Sequence, residues 1–250
     1  DFNWQRLKGI KNVSLVNGDV RDAALVQKLS QDCDVIIHAA AQTAVTASVA
    51  NPSEDFSTNA AGTFNVLEAA RKAGGDVAVV FCSTNKVYGS RPNDIPITEE
   101  KTRYAFSNSD FHGVPEDFGV DLCEHTPYGC SKLAGDLYCQ DYAKLYGVAT
   151  GIFRMSCIYG TRQFGVEDQG WVAHFAISAV TGKPVTIFGD GKQVRDVLFV
   201  SDLLDAYEAF IGKSPSLKGE VFNLGGGSEN TISLLELAQL LSELGTPLEN

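Results

Sequence analysis

The sequence has no apolar run near the roughly 18 to 20 residues that a membrane-spanning helix needs; typical runs are as short as Val35–Ile37 and Val77–Phe81. A membrane-embedded role is therefore excluded at the level of spanning helices. Positive charge is scarce: 20 Lys and Arg stand against 31 Asp and Glu, a formal charge of −11. General binders of nucleic acid or anionic membrane surfaces neutralise phosphates with clustered Lys and Arg, so neither is expected as a partner. Any phosphate-bearing ligand must be met locally. The six cysteines form no Cys-x-x-Cys pair, and His38, His112, His125 and His174 show no metal-ligand spacing, so no metal site is expected. The cysteines read as free thiols in a reducing compartment. No charged-then-apolar leader follows Asp1, which suits a cytoplasmic protein, although the chain equally reads as a fragment. Internal repeats and low-complexity tracts are also missing.

What is present is core material: 44% apolar and 20% charged residues over 250 positions, enough for one large domain or two small ones. Short β-branched runs alternate with longer amphipathic stretches, the pattern of an α/β fold with a mainly parallel sheet. Strands are expected near Val13–Val16, Val35–Ala39, Val77–Cys82, Ala149–Arg154, Val185–Ile187 and Val221–Leu224. Helices are expected near Ala23–Leu29, Glu54–Ala73, Pro127–Tyr146, Gly170–Val180, Leu203–Ile211 and Ser233–Leu241. Ser53 and Ser233 read as N-caps, Ser233 with Glu236 as a capping box, and Gly147 as a helix stop. Two polar connections, Gly89 to Thr126 and Tyr159 to Gln169, follow strands, where binding loops of doubly wound sheets emerge.

Tyr128 and Lys132 lie four positions apart on the helix expected from Pro127, hence on one face. An adjacent ammonium lowers a phenol's pKa and makes it a usable base toward an alcohol; an ordinary helix with an exposed Lys gives the same spacing. Ser83 and Thr84 close a strand, where Thr84 either bonds the same substrate oxygen as Tyr128 or simply caps a turn.

The segments Gly18-Asp19-Val20-Arg21-Asp22, His38-Ala39-Ala40-Ala41-Gln42, Asn59-Ala60-Ala61-Gly62-Thr63-Phe64-Asn65, Ser83-Thr84-Asn85-Lys86-Val87-Tyr88-Gly89, Tyr128-Gly129-Cys130-Ser131-Lys132 and Arg195-Asp196-Val197 occur in an order that resembles the extended short-chain dehydrogenase/reductases. Within these the chain is similar to the NAD-dependent nucleotide-sugar epimerase/dehydratase group. The resemblance implies a Rossmann-like doubly wound parallel sheet. Its first βαβ unit, with the Gly-x-x-Gly-x-x-Gly turn, would precede Asp1, and Gly225-Gly226-Gly227 has neither its spacing nor its place. Residues 1–158 would then form the NAD-binding part and 159–250 mainly the substrate-binding part, incomplete at its C-terminal end.

The same resemblance implies roles. Asp19 and Val20 would meet the adenine, the small run Ala39, Ala40 and Ala41 would admit the pyrophosphate and ribose, and Asn59 would brace the active-site backbone or a water. Lys132 would bond the nicotinamide ribose, and Met155 would run near the carboxamide. Other readings stay open: a turn Asp at 19, tight helix packing at 39–41, a surface pair of Arg195 with Asp196, and Trp171 as core. Catalysis falls to Thr84, Tyr128 and Lys132, with Lys132 keeping the phenol acidic. Asn85, Gln163, Gln169 and Arg195 are candidate substrate contacts, Arg195 for the diphosphate. Relatives often carry Asn where Cys157 stands.

Dehydratases of the group follow the catalytic Thr with Asp-Glu; here Asn85-Lys86 takes that place, which favours epimerisation, one hydride leaving and returning on the other face. The strings from Ser83 to Gly89, Arg162 to Phe164, Asp168 to Trp171 and Gly191 to Asp196 are similar to those of members acting at C2 of a CDP-3,6-dideoxyhexose. A UDP-hexose 4-epimerase, an NADPH-consuming reductase and a silent nucleotide-sugar-binding protein are the alternatives. Members commonly dimerise through the helix after Ala60 and the helix of Tyr128, so a homodimer is expected by resemblance.

Overall fold

Four parallel strands form the central sheet in the order β1 (Val35–His38), β2 (Ala78–Thr84), β5 (Ala149–Met155), β8 (Glu220–Leu224). The structure, a computed structural model, describes residues 2–74 and 77–248. Because side chains alternate across a strand, β2 sends Val79 and Phe81 to one face and Ala78 and Val80 to the other. Helices α5 (Gly62–Ala73) and α6 (Pro127–Tyr146) cover the first face through Val66, Leu67, Cys139 and Tyr142. Helix α8 (Val200–Ile211) covers the second through Leu203, Tyr207 and Phe210. Each such side chain taken fully from water contributes about 1.5–3 kcal/mol, which makes this two-layered core the rigid base of the site.

A three-stranded sheet, β6 (Cys157–Tyr159), β7 (Val194–Phe199) and β9 (Thr231–Ser233), stands beside it. Helices α7 (Trp171–Thr181) and α9 (Leu234–Glu243) add a separate core of Phe175, Leu237 and Leu241. The expected division after residue 158 is crossed by the chain. Helix α8 and strand β8 return to the main sheet, where β8 pairs with β5.

Caps account for several boundaries. Thr126 caps α6 by accepting from the Gly129 amide at 3.3 Å, Pro127 fills the first turn, and Gly147 closes the helix at φ 72°, a conformation glycine adopts without strain. The Ser233–Glu236 capping box forms as expected. Glu236 also takes Arg103 at 2.6 Å, pinning a hairpin, β3 (Ile97–Glu99) and β4 (Tyr104–Phe106), that lies inside the connection expected to be irregular.

Other expectations are corrected. Val13–Val16 forms no strand: Val13 and Val16 are exposed and no strand lies beside them to complete a ladder. Val185 and Ile187 form none either, packing instead against the α7 and α9 core. Ser53 is not a cap; Asn51 accepts from the Glu54 amide and Pro52 occupies the first turn of α4 (Pro52–Asp55). The single helix expected over 54–73 contains a π-helical turn, Phe56–Ala61, between α4 and α5. Three helices are accounted for as follows: α1 (Phe2–Lys8) and α3 (Val45–Ala50) escape the periodic pattern, and α2 (Ala23–Leu29) matches it. Among the described residues no helix is long and apolar enough to cross a membrane, and no cluster suits a metal ion.

Candidate active site

Strand β2 ends at Thr84, and the chain turns at once into a 3₁₀ turn, Asn85–Tyr88. Thr84 accepts from the Lys86 amide at 3.3 Å, the turn-capping role, and its hydroxyl lies near enough to the Tyr128 phenol to lower its pKa. Helix α6 presses its first turn onto that 3₁₀ turn. An ideal Cβ on Gly129 would stand 2.9 Å from the Lys86 carbonyl oxygen, so glycine is what lets Tyr128 approach the end of β2. Met155 sits level with Thr84 in the β2–β5 register, its sulfur accepting from Tyr207 at 3.2 Å.

Burial pushes the Tyr128 phenol above its ordinary range; the Thr84 hydrogen bond lowers it and the Asp55 charge raises it. The expected relief by Lys132 is not the arrangement found. The Lys132 ammonium, with only 3% of the residue exposed, donates to the Cys82 carbonyl at 2.6 Å and stands over the Phe81 ring at 4.3 Å. Burial draws its pKa down to about 8. One turn further along α6, Asp136 accepts from Ser83 at 2.8 Å and pairs with Arg154 of β5 at 2.9 Å, both groups buried. Arg154 continues to the Tyr88 hydroxyl and the Glu116 carbonyl, fixing the long connection to the strand ends.

Asn59 lies in the π-helical turn, a feature frequent at functional sites. Its Oδ1 accepts from the Gln42 amide at 2.8 Å. Its Nδ2 donates to the Gln42 carbonyl at 3.0 Å, to Ser131 Oγ at 3.1 Å and to Asp55 Oδ1 at 3.1 Å. Through these bonds Asn59 ties the Gln42 backbone to Ser131 of α6.

Ala39 and Ala40 leave β1 exposed, and Ala41 is half-buried. Val20 packs against Gly62 at the head of α5. Asp19 is exposed and held by Arg21 at 2.6 Å, which keeps its carboxyl at about 2.

The substrate candidates divide. Arg195, on β7, is exposed, donates only to the Val194 carbonyl, and makes no ion pair with Asp196. Asn85 remains half-buried beside Thr84. Gln169 is exposed, its backbone paired with Val166. Gln163 instead turns into its own loop: Nε2 donates to Ile158 and Oε1 is buried without a partner. Trp171 is core, edge-on to Phe175 and donating to Cys157 Sγ at 3.3 Å. Gly225 lies against Asp196 with no room for a side chain, as a tightly packed loop requires. Sequence reasoning missed Asp136 and Arg154, although Tyr128, Lys132 and Asp136 repeat every four positions; it also missed Asp55 and the exposed Lys86.

A phenol and a hydroxyl thus lie together at the carboxyl end of a parallel sheet, with buried Lys132 on the same helix as the phenol: groups of the kind that can take a proton from a carbinol. The NAD dependent epimerase/dehydratase family model matches residues 1–225. The chain is 41% identical to a CDP-paratose 2-epimerase of Salmonella typhi, over 97% of this chain and 72% of that protein. It is 34% identical to a UDP-glucose 4-epimerase of Mycolicibacterium smegmatis, over 93% of this chain and 67% of that protein. Among solved structures, a UDP-glucuronic acid 4-epimerase from Bacillus cereus in complex with UDP-glucuronic acid and NAD superposes with a TM-score of 0.77 at 27% identity, covering 100% of this chain and 71% of that one.

Proposed function

The chain belongs to the NAD dependent epimerase/dehydratase family, and from that premise we propose that it inverts C2 of a CDP-linked 3,6-dideoxyhexose. The carrying observation is the proximity of Thr84 and Tyr128, with Thr84 followed by Asn85 and Lys86, an amide and an ammonium where elimination needs carboxylic groups. Similarity to the Salmonella typhi CDP-paratose 2-epimerase supports the choice of carbon and base.

The residues present fit the nicotinamide end of NAD. Lys132 spends one of its three ammonium donors on the Cys82 carbonyl, leaving others for ribose hydroxyls, and Ala39 and Ala40 present exposed backbone beyond β1. Bound there, NAD would supply a reversible hydride acceptor for the carbinol carbon. Tyr128 takes the C2 hydroxyl proton, Thr84 holds the same oxygen, and Asn59 keeps the Gln42 segment in register with α6. Once the 2-keto sugar has turned, Tyr128 returns the proton to the oxygen. Arg195 meets the diphosphate. Exposed Phe64 on α5 with Leu137 and Tyr138 on α6 would form a homodimer face, and six free cysteines suit a cytoplasmic location.

The test is incubation of the protein with NAD and the CDP-linked 3,6-dideoxyhexose, followed by proton NMR and absorbance at 340 nm. The reading expects interconversion of the C2 epimers with no net absorbance change. Stoichiometric NADH turnover, loss of water, or inversion at C4 of a UDP-hexose would each overturn it.

A further inference from the structure

Lys86 is pinned by its backbone between the two reacting residues. Its amide donates to Thr84 at 3.3 Å, and its carbonyl oxygen meets the α6 backbone at Gly129, next to Tyr128. The side chain, exposed to solvent, differs from the other cations near the site. Lys132 has the Cys82 carbonyl, Arg154 has Asp136 and Arg103 has Glu236. Among the described residues the Lys86 ammonium has neither a hydrogen bond nor a carboxylate, and it keeps access to solvent. The charged groups within electrostatic reach are Arg195, from the neighbouring three-stranded sheet, and the Cys157 thiol; burial and then Arg195 draw the Lys86 pKa down. In a chain of net charge −11, the Lys86 ammonium thus lies in the field of a second cation with no carboxylate of its own. Such a pair repels until an anion enters its field.

We propose that Lys86 binds the sugar-proximal phosphate of a nucleoside diphosphate sugar and thereby selects which carbinol reaches Tyr128. The inference deepens the reading above and rests on it. The anomeric carbon carries the phosphate, and C2 is bonded directly to it. When C2 is held at Thr84 and Tyr128, the proximal phosphate lies beside them, where a cation two positions beyond Thr84 meets it. When C4 is held there, the phosphate lies across the ring and points away from Lys86. Arg195 then holds the nucleoside-proximal phosphate, and the two cations share one diphosphate instead of repelling.

The test is titration calorimetry of the full chain with CDP and CMP, and separately with UDP and UMP, on the parent protein, Lys86→Met and Lys86→Arg. Because a charge-assisted bond to phosphate is lost, Lys86→Met is expected to weaken diphosphate binding about tenfold or more while changing monophosphate binding less than about twofold. Lys86→Arg restores most of the diphosphate preference. Thermal unfolding midpoints of the variants, expected within a degree or two of the parent because the side chain has no partner, exclude a folding effect. Equal loss on mono- and diphosphate, no loss on either, or a parent protein without diphosphate preference overturns the inference. Tighter binding of UDP than CDP contradicts the cytidine reading and leaves the Lys86 comparison intact.

Discussion

The carbonyl oxygen of Lys86 occupies the space into which any side chain on Gly129 would project, 2.9 Å from an ideal Cβ. The obstacle is backbone, so it yields only if α6 moves away from the end of β2, carrying Tyr128 with it. Gly129→Ala is therefore expected to lower kcat about a hundredfold through misplacement of the phenol. Stability should change by only about 1–3 kcal/mol. Steady-state kinetics beside an unfolding curve checks this; an active Gly129→Ala would mean the helix and turn have slack.

Tyr128 in the unliganded chain is expected to titrate above 10, because burial and the Asp55 charge outweigh the Thr84 hydrogen bond. Ultraviolet difference titration of the parent against Tyr128→Phe reads this directly. A phenol ionising near neutrality without ligand would show that Lys132 alone makes the base.

His38 lies buried with Nε2 at 2.9 Å from Thr63 Oγ1. Thr63 gives its own proton to the Asn59 carbonyl at 2.6 Å, so His38 donates and stays neutral. Burial, then the Lys132 charge, hold its pKa at about 3 against an ordinary 6.5. Above 6.5 neither the folded nor the unfolded state binds the proton; below it only the unfolded state does, until the folded pKa is reached. Stability is therefore full above about 6.5 and falls by about 1.4 kcal/mol per pH unit toward 3. Urea unfolding at pH 7.5 and 5 should show this loss in the parent and not in His38→Gln, and equal losses would contradict it.

Asp136 and Arg154 are 0% and 5% exposed. Asp136→Ala leaves a buried guanidinium unpaired and is expected to cost about 3–5 kcal/mol. Since Arg154 also holds the Glu116 carbonyl, the connection from Gly89 to Thr126 should become more open to proteolysis. Unchanged cleavage there would show that the connection is anchored elsewhere.

Much of this was legible in the residues themselves. Helix α6 could be bounded at Pro127 and Tyr146 because a proline start and a glycine stop are local signals, and Ser233 with Glu236 is likewise local. The position of Thr84 at the end of β2 could be read from the strand's hydroxyl-bearing end. Other features are tertiary and leave no local mark. Val13–Val16 alternates like a strand but has no ladder partner. Lys132 turns to the Cys82 carbonyl because burial leaves its ammonium an unmet donor, which spacing on a helix does not reveal. Asn59 faces Gln42 and Ser131 from a π-helical turn that no periodicity announces.

The central claim is that hydride leaves and returns at C2. Its most direct test is epimerisation of the CDP-linked 3,6-dideoxyhexose in deuterium oxide, with the product read by proton NMR. The account predicts inversion at C2 with the original hydrogen retained there and no deuterium from solvent. Deuterium at C2, or inversion at C4 instead, would contradict it.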